Sequence, residues 1–448
     1  MTTVDFWCER AWLGADQGVQ SAVLVRLAAG RIIEVRPDVS PAAATRLTGL
    51  VVPGIADAHS HAFHRALRGR THGAGGSFWT WRDQMYDLAD RLDPDSYAAL
   101  AQAAYAELAL AGVSAVGEFH YLHHGPGGTP YADPNAMGHA LVAAARAAGL
   151  RITLLDACYL TGGIGEPLHG VQRRFGDGDA ERWAERAGAL AAAYADAPDV
   201  VVGAAVHSVR AVPIEQVPVV VAWAQQRSAP LHVHLSEQPA ENDACQQAYG
   251  LTPTQLLHEA GALGPRTTVV HATHPVTADV ALLGGSASTV CLCPTTEREL
   301  ADGIGPGRRL FDAGSPLVLG SDSHAVVDPF EQMRAVEMHE RLASGRRCHW
   351  SADELLVAAT ATGHACLGRP DAGVLAPGAR ADLVALRVDS VRTAGTAAGS
   401  DTAVFAATAA DVTDVVIDGH RVITAGEHRQ GDVGRALAAA IDPLWVRS

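Results

Sequence analysis

The sequence predicts an α/β chain: a (β/α)8 TIM-type barrel with a small β-sandwich domain built from both termini. Three observations predict it. Through the middle of the chain, short apolar runs alternate with longer, Ala-rich amphipathic segments. Eight such runs can be counted, enough to close a barrel. Both ends carry a different texture, of strand patterns broken by hairpin turns.

In chain order, Ala22–Leu27 and Arg31–Val35 flank Ala28-Ala29-Gly30, a hairpin-length break. The barrel strands are then expected at Leu50–Asp57, Ser114–Phe119, Arg151–Cys158, Val200–Val206, Pro230–Leu235, Thr267–Val270, Ser288–Cys293 and Pro316–Gly320. Strands covered by helices on both faces read as continuous apolar runs, as these do. Helical patterns separate them, including Asp95–Ala111, Pro134–Ala148, Asp179–Ala195, Ile214–Gln226 and Pro329–Leu342. Eight units in about 310 residues fit such a barrel. An open doubly wound sheet would carry a Gly-rich phosphate turn, which this chain lacks. Ser351-x-x-Glu354 is a capping box that opens a further helix. Strand patterns return at Ala381–Leu386 and Val415–Ile417, with Asp418-Gly419 as a turn before His420–Ile423. The expected division is residues 1–50 and 368–448 for the composite β domain, with a terminal helix, and 51–367 for the barrel.

Composition narrows the function. The chain has 448 residues, 48% hydrophobic and 19% charged, with a net charge of −15. It can bury a large core without disulfides. Cationic residues occur at most as pairs, such as Arg173-Arg174, which argues against a nucleic-acid or anionic-membrane partner. No apolar stretch reaches the ~18 residues that span a bilayer. All 34 cationic side chains are arginine. Without lysine, a Schiff base, a P-loop lysine and a carboxylated lysine bridging two metals are excluded. The seven cysteines are scattered, and Met1–Arg10 lacks the apolar core of a signal peptide, so a cytoplasmic protein is expected. Cys291 and Cys293, in an apolar run, are expected to be reduced core residues rather than ligands.

Polar residues gather at the C-terminal ends of the expected strands, where barrels place their chemistry. His59-x-His61 ends the first, Glu118 to Tyr121 the second, and His207 with Arg210 the fourth. His234 and Glu237 end the fifth, His271 the sixth, and Asp322 with His324 the eighth. Histidines at i and i+2 of an extended segment point to one side and can share one ion. Each histidine alone fits a structural role. Their concurrence predicts a metal site of imidazoles and a carboxylate, suited to one divalent ion such as Zn2+, with Fe2+ also accepted.

The order of H-x-H on strand one, His on strands five and six and Asp on strand eight resembles the amidohydrolase superfamily. His234-Leu-Ser-Glu237 is similar to the H-x-x-E of its mononuclear deaminases. The resemblance narrows to the formimidoylglutamate deiminases of histidine degradation. It rests on His59-Ser-His-Ala-Phe63, Phe78-Trp-Thr-Trp-Arg82, Glu118-Phe-His-Tyr121, His207-Ser-Val-Arg210, His234-Leu-Ser-Glu-Gln238, His271-Ala-Thr-His274, Cys293-Pro-Thr-Thr-Glu297 and Gly320-Ser-Asp-Ser-His324. These run in family order across nearly the whole chain, while Gly378–Leu383 is common to the superfamily. The resemblance implies that His59, His61, His234 and Asp322 hold the metal. It further implies that His271 contacts the activated water, that Glu237 shuttles protons and that Asp322 takes the water proton. Arg82 and Arg210 are implied as partners of the two substrate carboxylates, with Tyr121 and His207 as polar pocket residues. Where the family carries glutamine five places after the first ligand, this chain has His64, expected to contact substrate with altered reach. His120, His123 and His124 are expected to support the site or face solvent, and His324 to support Asp322.

The implied reaction is zinc-dependent hydrolysis of N-formimino-L-glutamate to N-formyl-L-glutamate and ammonia, by a homodimer. A mononuclear deaminase of a heterocyclic base such as guanine or cytosine shares the metal set but does not need two substrate arginines. A non-catalytic ligand-binding barrel is the third possibility, opposed by the intact ligand set with Glu237.

Overall fold

The computed structural model describes residues 3–73 and 76–446. Eight parallel strands form one sheet: Ile55–Ser60, Val113–His120, Arg151–Cys158, Val200–Val206, Leu231–Leu235, Thr267–His271, Thr289–Leu292 and Leu317–Leu319. Each pairs with its sequence neighbours in order. The ring closes at the site itself through a parallel bridge between Ser60 and Asp322. There His61 N donates to Asp322 O at 3.0 Å, and Asp322 N donates to His59 O at 2.9 Å.

Helices cover the outside of the ring, and local chemistry starts them. Asp93, Asp179 and Asp328 accept backbone N–H groups at the N-termini of Pro94–Leu110, Ala180–Ala193 and Pro329–Ser344. Ala136–Ala148 ends at Gly149, whose φ of 88° suits glycine. The Ser351–Glu354 capping box forms as expected. Phe78–Ala89 forms an additional helix beside the barrel mouth, where only a sequence motif was recognised.

Both termini meet in one continuous eight-stranded sheet. Its spatial order is Glu427–His428, His420–Thr424, Val412–Ile417, Leu383–Leu386, Thr45–Pro53, Thr3–Trp12, Val19–Ala28 and Arg31–Arg36. The halves join where Leu383–Leu386 pairs antiparallel with Leu50–Pro53. The two expected hairpin turns place both central residues at positive φ: Ala29 50° with Gly30 75°, and Asp418 48° with Gly419 80°. Phe6, Val25, Ile32, Leu47 and Leu383 form a separate small core here.

One expected strand divides. Residues 50–53 belong to the terminal sheet and only 55–60 to the barrel. Gly54 makes the transfer: a Cβ there would lie 2.4 Å from Ser114 Oγ and 2.6 Å from Asp382 Cβ. The two sheets are fastened beneath the barrel by Arg151, fully buried, which pairs with Asp382 and lies 3.1 Å from Asp418 Oδ1. Gly378–Leu383 thus serves the sheet junction and is absent from the cavity lining. All seven cysteines are free, with Cys291 and Cys293 packed inside the barrel beside Val270 and Val318. Among the described residues no helix is long and apolar enough to cross a membrane.

Candidate active site

Strand direction brings the ligand candidates together. His59 and His61 leave the first strand on one side, His234 leaves the fifth, and Asp322 follows the eighth. His59 Nε2 and His61 Nε2 each lie 3.5 Å from Asp322 Oδ1, and His234 Nε2 lies 3.1 Å from His59 Nε2. His61 Nδ1 donates to Phe119 O at 3.0 Å and His234 Nδ1 to His207 O at 2.9 Å. Those bonds fix each tautomer and turn both Nε2 lone pairs inward. The Phe119 ring packs under His59 and His234, with centroids 5.1 and 4.4 Å away.

Electrostatics agree with a cation-binding cluster. Burial lowers the pKa of His59, His61 and His234, so all three rings are neutral donors of lone pairs. Burial opposes the Asp322 charge, but His59 and His271 outweigh it and hold its carboxyl down to about 2. Three imidazole nitrogens and a carboxylate oxygen therefore converge, a donor set that fits a divalent ion.

The loops bearing these groups are strained. Ser236, His271, Ala272, Asp322 and His324 have φ of 48°, 71°, 46°, 49° and 54°, in the left-handed region. Non-glycine residues there cost about 1–3 kcal/mol each, and such strain gathers where side chains must be aimed.

Beside the metal candidates stands an acid–base group. His271 Nε2 lies 3.6 Å from Glu237 Oε1 and 3.8 Å from Asp322 Oδ2, and its Nδ1 lies 3.4 Å from Glu297 Oε1. Burial disfavours a charged ring, but Glu237, Glu297 and Asp322 together raise its pKa well above the ordinary value. Burial also pushes Glu237 up, against the pull of His271 and Arg210. Glu237 and His271 thus raise each other's hold on a proton or a charge as one coupled pair.

A cavity of about 320 Å3 opens above this floor. His61, His64, Arg82, Tyr121, His207, Arg210, His234, Glu237, His271 and Asp322 all line it. Of the expected site residues only His59 lies outside its walls, buried beneath them. Arg82 comes from the helix Phe78–Ala89, its guanidinium 4.5 Å above the Trp79 ring and 5.4 Å from Tyr86, with its buried Nε unpartnered. Arg210 donates from Nε to Glu241 Oε2 at 2.8 Å and lies 3.6 Å from Glu237 Oε2. His64 Nε2 lies 2.9 Å from Tyr121 Oη. Burial holds His64 down to about 3, so its ring is neutral, and its buried Nδ1 has no partner.

His120, His123 and His124, expected to support the site or to face solvent, are buried beside Asp156, Asp177 and Arg186. His324 reaches Ser60 Oγ at 2.8 Å instead of the Asp322 side chain, and Ser60 donates to Glu118 Oε2 at 2.7 Å. Glu118 also accepts Ala62 N at 2.8 Å, which secures the turn after His61. Sequence reading passed over Glu241 and Asp302. Glu241 is fully buried and accepts Ser236 N at 2.9 Å as well as Arg210. Its spacing from His234 was the available signal, on a helix whose other acids look solvated.

Comparison with known proteins agrees with this geometry. The amidohydrolase family model matches residues 50–422. The chain is 38% identical over 412 residues to formimidoylglutamate deiminase of Pseudomonas aeruginosa, covering 89% of this chain and 90% of that protein. It is 30% identical over 354 residues to 8-oxoguanine deaminase of the same organism, covering 77% and 76%. The crystal structure of an amidohydrolase from Brucella melitensis superposes with a TM-score of 0.92 at 31% identity, covering 99% of this chain and 100% of that one. Barrel, strand-end histidine–aspartate cluster and sequence lead to one assignment: this chain belongs to the amidohydrolase family, hydrolases that act on small molecules.

Proposed function

We propose that this protein hydrolyses N-formimino-L-glutamate to N-formyl-L-glutamate and ammonia. The observation that carries this reading is the pair Arg82 and Arg210, two guanidiniums lining the cavity whose floor is the histidine–aspartate cluster. A dicarboxylate bearing a small amidine-like group needs two such cations and one hydrolytic centre. The 38% identical relative of that name supports the same substrate.

His59, His61, His234 and Asp322 are the residues that would hold one divalent metal, Zn2+ or Fe2+ by the nature of the donors. Bound there, the ion supplies Lewis acidity that lets water ionise near neutral pH. The remaining work falls to side chains. Arg82 and Arg210 bind the two carboxylates and fix the formimino carbon over the floor. His64, Tyr121 and His207 offer neutral polar contacts along the cavity wall. Asp322 takes the proton of the attacking water, and His271 orients that water. Addition gives a tetrahedral carbon. Glu237, whose pKa burial raises, delivers a proton to the formimino nitrogen. Asp322 then passes its proton to the same nitrogen, and as the carbon–nitrogen bond breaks and ammonia leaves, the hydroxyl proton returns to Glu237 and the carbonyl of the formyl group forms.

The test is ammonia release from N-formimino-L-glutamate by zinc-loaded protein beside a chelator-treated control. Chelator-sensitive release supports the reading. The 8-oxoguanine deaminase relative favours a second reading, hydrolysis of a neutral heterocyclic base. Release of ammonia from such bases, with none from the formimino acid, selects it.

A further inference from the structure

Asp302 lies on the loop after the seventh barrel strand, 4% exposed, and the reaction above does not use it. Its Oδ1 accepts Gln238 Nε2, its carbonyl oxygen accepts His274 Nε2 at 2.8 Å, and its N–H donates to Glu297 O at 2.9 Å. Asn242 Nδ2 donates to His274 O at 2.8 Å. The loops after the fifth, sixth and seventh strands therefore meet at this residue. Glu237, His271 and Asp302 each place a polar atom within 4.8 Å of the other two. Asp302 Oδ2 is buried and has no hydrogen-bond partner.

We propose that Asp302 is a positioning residue for proton transfer, locking the Glu237–Gln238 turn against the loops after the sixth and seventh strands. The turn needs a lock. Ser236, with φ of 48°, immediately precedes Glu237. A side chain carried on strained backbone keeps its aim only where its neighbours over-determine it. Glu241 holds the Ser236 end of this turn and Asp302 the Gln238 end. An ionised Asp302 would be poorly served here, with a single side-chain donor and three further carboxyls nearby. Burial and the charges of Glu237, Glu297 and Asp322 outweigh the pull of His271 and push its carboxyl up to about 9. It therefore stays protonated at neutral pH, and Oδ2 adds no charge beside Glu237.

This inference rests on the deimination reading, and the test separates the two. Wild type, Asp302→Ala, Asp302→Asn and Gln238→Ala are compared for ammonia release from N-formimino-L-glutamate, thermal melting and bound zinc. Asp302→Ala is expected to lower kcat about tenfold or more, with KM changed less than about threefold and zinc content unchanged. Asp302→Asn keeps the acceptor for Gln238 and places N–H donors where the protonated oxygen stood, so it is expected to recover most of the lost kcat. Gln238→Ala is expected to lower kcat in the same way, and to add little in combination with Asp302→Ala. Wild-type kcat in Asp302→Ala, or equal losses in the Ala and Asn variants, overturns the proposal. If Asp302→Ala does not fold, Gln238→Ala decides: a kcat loss supports the proposal and full kcat overturns it. Silence of the wild type on this substrate overturns the deimination reading and the inference built on it. Failure against an active wild type removes the inference alone.

Discussion

Glu241 joins Arg210 to the turn that carries Glu237: one carboxylate oxygen accepts Arg210 Nε at 2.8 Å, and the other accepts Ser236 N at 2.9 Å. Ser236 is the strained residue before Glu237, so one buried carboxylate holds both the proposed substrate cation and the proposed proton-transfer group. Removing one partner of a buried ion pair costs about 3–5 kcal/mol. Glu241→Gln is therefore expected to lower the melting temperature and to raise KM for N-formimino-L-glutamate at least about tenfold. Thermal melting and steady-state kinetics check this. Wild-type values for both would show that Arg210 is held by other contacts.

Arg82 differs in that its buried Nε has no protein partner. A charge-assisted hydrogen bond contributes about 1.5–3 kcal/mol, so Arg82→Met is expected to raise KM roughly 10–100-fold. Its kcat should change far less, and melting should be nearly unaffected because no ion pair is broken. Unchanged kinetics would remove Arg82 from the carboxylate clamp.

Glu237→Gln and Asp322→Asn both lose turnover for different reasons. The first removes the exchangeable proton beside His271 and is expected to cost about 10²–10⁴ in kcat while bound zinc stays at wild-type level. The second also removes a ligand candidate, so its zinc content falls. Metal analysis alongside kinetics separates the two, and a Glu237→Gln variant with full turnover would reassign the proton.

Asp177 and Asp382 predict the acid limb of stability. Burial opposes both charges, yet His124 and Arg186 hold Asp177 well below the usual carboxylate range, and Arg151 lowers Asp382. A folded pKa below the unfolded one adds stability that is complete above the unfolded value and lost as pH falls through the folded value. Unfolding free energy is therefore expected to fall as pH drops below about 4. Asp177→Asn should be less stable at pH 7 by about 1–3 kcal/mol and show a shallower acid decline. Denaturant melts between pH 7 and pH 3 measure both, and parallel curves for the two proteins would contradict the assignment.

Much of this was legible in the sequence because periodicity and strand ends carry it. Apolar runs between Ala-rich segments gave the barrel, and polar residues closing those runs gave the ligand candidates. The split at Gly54 was not legible: residues 50–53 and 55–56 are apolar alike, and only tight packing on Ser114 and Asp382 reveals the change of sheet. The helix Phe78–Ala89 hid for a related reason. Trp79, Trp81, Arg82 and Met85 face the cavity, so its inward side is not the uniform apolar stripe that periodicity detects. Glu241 and Asp302 carry no such signal, one on a polar helix and one before Gly303. Their roles depend on partners in other loops, which no local pattern encodes.

The most direct measurement is the ratio of kcat/KM for N-formimino-L-glutamate to that for guanine and cytosine, on zinc-loaded protein with a chelator-treated control. The account predicts chelator-sensitive turnover of the formimino acid and negligible turnover of the bases. Efficient turnover of a heterocyclic base, with none of the dicarboxylate, would contradict it.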